Sequence, residues 1–177
     1  MKKKIKIFSL ILLITFISGC VHQRQFLKKG FNPAAAGLVL VFPFENLTPD
    51  PNAGKIATSV FTAELRSKGT ILLREYKKSE KDEISDAGIF DEIDYLSEAK
   101  KSGAESYLTG TVTEYKYKKG LGEEPVVGLT SRLTNTATSE VLWESSISVT
   151  PGLGSLKEQS LSRFLQIAAE KMTKAIK

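Results

Sequence analysis

Apolar and polar positions alternate along this chain in blocks that change period. Leu38 to Phe42 is a short continuous apolar run, the mark of a buried strand, and Pro43 ends it. Asn46 to Asn52 is turn chemistry, with Asp50 placed to cap a helix and Pro51 at its first position. Ile56, Val60 and Ala63 form one helical stripe and Ala57, Phe61 and Leu65 the next, which predicts a helix ending at Gly69. Ile71 to Leu73 starts a second strand, so strand, helix and strand make a parallel crossover. Glu75 to Ala87 is charged and aperiodic. Phe90, Ile93, Leu96 and Ala99 then predict a second helix that stops at Gly103.

The period changes to two after Gly103. Ser106 to Lys118 reads as a long strand with Tyr107, Thr109, Thr111, Thr113, Tyr115 and Tyr117 on one side. Gly110 marks either a bulge or a close approach. Val127, Leu129 and Leu133 alternate along the next strand. Val141, Trp143, Ile147 and Val149 alternate along the last, and short turns make the three an antiparallel meander. Ser155 to Glu158 has the form of a capping box, followed by Leu161, Leu165, Ala168, Met172 and Ala175 at helical spacing. The predicted fold is a mixed α/β (α+β) single domain, β-α-β-α-β-β-β-α, with helices packed against a mixed five-stranded sheet.

The start of the chain follows other rules. Lys2, Lys3, Lys4 and Lys6 precede an apolar run from Ile7 to Ile17, and small Ser18 and Gly19 follow. That is the order of a secretory signal. The run is well short of the roughly 20 residues a spanning helix needs. Ile17-Ser18-Gly19-Cys20 resembles the lipobox of bacterial lipoproteins. The resemblance implies removal of residues 1–19, a diacylglycerol on the Cys20 sulfur and acylation of the new amine, a stable anchor where one chain would not suffice. Val21, rather than Asp, follows the cysteine, which by the same resemblance implies the outer membrane, facing the periplasm. Val21 to Gly37 is polar, with Gly30, Pro33 and no clear period, and reads as a tether. The expected organisation is therefore signal 1–19, lipidated tether 20–37 and periplasmic domain 38–177. Seventeen residues of extended chain would reach at most about 60 Å.

Charge adds little once the signal is set aside. The chain has 25 basic and 20 acidic residues, and four lysines leave with the signal, so the mature chain is near +1. Nucleic-acid binding is not expected without a basic stripe on the domain. Cys20 is the single cysteine, so the domain must be held by its core.

The residues also resemble a known group. Val39 to Thr48, Gly103 to Val112 and Asn135 to Trp143 resemble the first strand and loop, the strand after a helix, and the late hairpin of the TolB amino-terminal domain and its lipoprotein relatives. Those relatives include the curli-secretion lipoprotein CsgG and the penicillin-binding-protein activator LpoB. Ser139 stands where that group often has Gly. The likeness implies fold and says little about function. The 116–126 loop is too short and charged for the membrane-spanning hairpins of the curli channel. Nor does a seventeen-residue tether match the long disordered one of the synthase activator.

No catalytic constellation stands out, and the chain is expected not to be an enzyme. His22, the only histidine, sits two residues from the lipid site. Gly54-Lys55 lacks the first Gly and the Ser or Thr of a phosphate loop, having Pro49 and Ile56 there. The acidic residues from Glu80 to Asp94 lack calcium-loop spacing and read as a solvated run. No cofactor, metal or small-molecule substrate is indicated. Tyr115, Lys116, Tyr117 and Lys118 interleave aromatics with cations. They read either as a partner surface or as an edge strand guarded by lysines. Two functions follow: a lipid-anchored protein that binds and regulates or stabilises an envelope partner, or a structural subunit of an outer-membrane assembly.

Overall fold

The computed structural model describes residues 21–77, 93–118, 124–151 and 160–176. A seven-stranded sheet organises them. The strands are β1 (Val21–Leu27), β2 (Leu38–Val41), β3 (Glu45–Asn46), β4 (Leu72–Glu75), β5 (Ser106–Lys118), β6 (Glu124–Asn135) and β7 (Val141–Val149). The helices are α1 (Ala53–Lys68), α2 (Tyr95–Lys101) and α3 (Leu161–Thr173). Across the sheet the order is β1-β7-β6-β5-β2-β4, with β3 paired to β5. The crossover through α1 joins parallel β2 and β4, and β5, β6 and β7 form the antiparallel meander.

One face of the sheet carries the main core. Ala57, Phe61 and Leu65 of α1 and Leu165, Ala168 and Met172 of α3 pack on Val41, Leu108, Val112, Leu129, Leu133 and Trp143. Of the two stripes on α1, the Ala57 stripe faces inward, while Ile56 and Val60 are half-buried beside it. Gly54 and Gly110 are close approaches. A Cβ on Gly54 would lie 2.5 Å from the Phe44 carbonyl, and one on Gly110 would lie 2.6 Å from the Phe44 ring. Phe44 thus fills space that both glycines leave. A smaller cluster lies on the opposite face beneath α2, where Phe42 meets Tyr76 and Tyr95 with ring centroids 4.9 Å apart.

Three expectations change. The sheet has seven strands rather than five, because β1 and β3 join it. The stretch read as a tether begins with β1, which pairs with β7 from Val21↔Val149 to Leu27↔Trp143. Its period is hidden because the two central positions on the α3 side are glutamines. Gln25 Nε2 donates to the Met172 carbonyl at 3.0 Å, and Gln23 Nε2 donates to the Lys171 carbonyl at 3.3 Å. Carbonyls in the last turn of a helix lack the usual intrahelical donors; the Gln25 amide supplies one to Met172, and the Gln23 amide adds a second to Lys171, which also accepts from the Lys174 amide. Beyond β1, Phe31 packs on the core and Pro33–Ala36 forms a 3-10 turn with Pro33 and Ala36 buried, so this stretch is part of the folded unit. Finally, the residue at the start of α1 is Asn52 rather than Asp50, and its side chain makes no capping hydrogen bond. The Asp50 carboxylate instead accepts from the Asn52 amide at 2.9 Å and shapes the turn before the helix.

The capping box at 155–158, Phe90 and most of the acidic run lie outside the described residues. Asp94, the last of that run, caps α2 by accepting from the Ser97 amide at 3.0 Å, and Ser160 caps α3 by accepting from the Arg163 amide at 3.2 Å.

Candidate functional site

The residues singled out at the end of β5 come apart in the structure. A bulge in β5 between Val112 and Glu114 leaves Thr113 without a cross-strand partner. Gly128 on β6 makes room for it, since a Cβ there would lie 2.4 Å from the Thr113 hydroxyl. One extra residue reverses the alternation beyond it. Tyr115 therefore turns into the main core at 7% exposure, although the unbroken pattern put it beside Thr109, Thr111 and Thr113. Tyr117 remains outside at 43% exposure, with Lys116 and Lys118 also exposed. As a surface, the four predicted residues reduce to Lys116, Tyr117 and Lys118. The bulge, rather than Gly110, is where the ladder shifts, and Gly128 was its one signal in the sequence.

Strand register links this surface to the chain start. Val21 pairs with Val149, Val149 with Val127, and Val127 with Tyr115, so these four residues share one level of the sheet. Three more residue pairs of the β5–β6 hairpin, ending at Lys118↔Glu124, extend past that level on the side where Cys20 precedes Val21. Cys20 itself lies outside the described residues. β3 pairs with β5 only as far as Val112, so the hairpin end is a two-stranded ribbon among the described residues.

The uncovered face of the meander presents a second, polar feature. A groove of about 230 Å³ is lined by Glu45, Tyr95, Thr109, Thr111, Arg132 and Glu144. The Thr111 hydroxyl donates to Glu45 at 3.3 Å, and Arg132 pairs with Glu144 at 2.9 Å. These groups largely satisfy one another, and no nucleophile with an adjacent base appears among them. No described helix is long and apolar enough to cross a membrane.

No protein-family model and no curated protein sequence matches the chain. Among solved structures, the PelC dodecamer from Paraburkholderia phytofirmans is 25% identical, covers 89% of this chain and 97% of its own, and has a TM-score of 0.68. Lipoprotein GNA1162 from Neisseria meningitidis is 20% identical over 78% of this chain and 99% of its own, with a TM-score of 0.57. The chain has a bacterial envelope-lipoprotein fold. TolB from Acinetobacter baumannii and the LpoB carboxy-terminal domain from Salmonella enterica also match. Their TM-scores are 0.40 and 0.39, at 13% and 18% identity over 89% and 68% of this chain and 30% and 85% of theirs. Those two likenesses add nothing beyond the first two.

Proposed function

We propose that this protein is a non-enzymatic lipoprotein seated directly on the periplasmic face of the outer membrane through lipid on Cys20. There it serves as a subunit of a homo-oligomeric envelope assembly. The observation that carries this reading is that Val21, the residue after the anchor, is already paired in the sheet. A regulator that reaches a distant partner needs slack between lipid and domain, and this chain has none to give. A fixed, short attachment instead holds every copy at one height and in one orientation, which favours closed symmetric assembly on a surface. The likeness to a dodecameric protein over nearly the whole chain supports the same reading.

Mass determination of the detergent-extracted mature protein tests it. The expected result is a closed oligomer of the order of the dodecamer formed by PelC. A monomer at every detergent-to-protein ratio would overturn the assembly reading and return the protein to partner regulation.

A further inference from the structure

We propose that the end of the β5–β6 hairpin, with Tyr117 between Lys116 and Lys118, is a second contact with the phospholipid surface beside the anchor. The inference rests on lipid attachment at Cys20. Val21, the residue that follows Cys20 in the sequence, is level with Tyr115 and Val127. From the level of Val21 the hairpin runs on for three residue pairs, about 10 Å at the rise of a strand. Sideways, β5 lies three strand spacings from β1, about 14 Å. A domain held at Cys20 with its strands directed at the bilayer therefore brings the hairpin end to the headgroups on the same side.

The side chains suit that position. Tyrosine has an apolar ring and a polar tip, the combination favoured where one end is dry and the other wet. Lysines on either side lay their methylenes along apolar material and keep the ammonium in water. Lys116 Nζ lies 3.5 Å from Glu114 Oε1. The charged side chains described at this end, Lys116 and Lys118 against Glu114 and Glu124, balance. Headgroup charge is therefore not the driving force, and the contact forms on zwitterionic lipid as well as on anionic lipid.

The chemistry of the anchor supplies the probe. Cys20 is the only cysteine, and its sulfur is blocked by lipid, so Tyr117→Cys leaves one free thiol for a nitroxide. Ala137→Cys, exposed in the β6–β7 turn at the far end of the sheet, is the comparison. The mature lipoproteins are placed in vesicles of phosphatidylcholine alone and of phosphatidylcholine with phosphatidylglycerol. Relaxation by oxygen, which partitions into lipid, is compared with relaxation by a water-soluble nickel chelate. The expected result is that oxygen dominates at 117 and nickel at 137, a reversal of the ratio, in both vesicles. A nitroxide at 117 as open to nickel as one at 137 overturns the lipid contact. A nitroxide shielded from both reagents also overturns it, since another protein surface then covers the hairpin. The mass of the same samples separates the two claims. Without diacylglycerol on Cys20 the anchor reading and this inference fall together, whereas with lipid present and the label in water only the hairpin contact falls.

Discussion

The two ends of the sheet are finished in different ways. At the far end the β6–β7 turn is held by its own side chains, although the buried Thr136 hydroxyl has no hydrogen-bond partner among the described residues. Asn135 Oδ1 accepts from the amides of Ala137 and Thr138 at 3.0 and 2.9 Å and from the Thr138 hydroxyl at 3.1 Å. Ser139 takes a left-handed conformation at φ 58°, where Gly is more usual. Lys28, just past β1, donates its amide to the Leu142 carbonyl and pairs with Glu140 at 2.6 Å, fastening the strand to that turn. At the end from which β1 starts, the hairpin projects with Tyr117 exposed and Lys118 without an ion pair among the described residues. The far end is thus closed by its own turn and by the contacts of Lys28 and Glu105 with it. The other end presents an exposed tyrosine and exposed lysines on the side from which β1 starts.

Substitutions should show the same contrast, the largest within one motif. Tyr115→Ala removes a core side chain and is expected to cost about 3 kcal/mol. Tyr117→Ala should change the unfolding free energy by less than about 0.5 kcal/mol. Denaturant melts of the two variants measure the difference, and equal losses would mean that the bulge does not turn Tyr115 inward. At the far end, Asn135→Ala takes the side-chain acceptor from two turn amides and should cost about 1 kcal/mol in the same assay.

The smallest effect is electrostatic. The Lys28 ammonium, by hydrogen bond and by charge, holds the Glu140 carboxyl below its ordinary value. A carboxyl that is more acidic in the folded state stabilises the fold above the ordinary carboxylate range. That contribution is lost as pH falls through the folded value. Since the pair is exposed, salt screens it. NMR titration of Glu140 should show the lowered midpoint, and Lys28→Ala should raise it toward the ordinary range.

What the sequence revealed depended on how much of each pattern was apolar. The helices α1 and α3, the parallel crossover and the meander could all be read because Phe61, Leu65, Leu165, Leu129 and Trp143 repeat at the period of their elements. β1 could not, since its Gln23 and Gln25 serve the carbonyls of α3 and look like linker residues in one dimension. β3 is two residues long and has no period to show. The candidate surface was legible as a cluster but not as a geometry. Reversal of Tyr115 depends on Thr113 being accommodated by Gly128, a contact between residues on different strands.

The proposed seating rests on β1 being part of the folded domain as far as Val21. Amide hydrogen exchange on the protein purified from membranes measures that directly. In an edge strand alternate amides bond to the neighbour. The account predicts that those of β1 which bond to β7 exchange orders of magnitude more slowly than a free peptide, together with the Lys28 amide. Exchange throughout 21–28 at the rate of an unstructured chain, with β5, β6 and β7 still protected, would show a loose tether and contradict the seated domain.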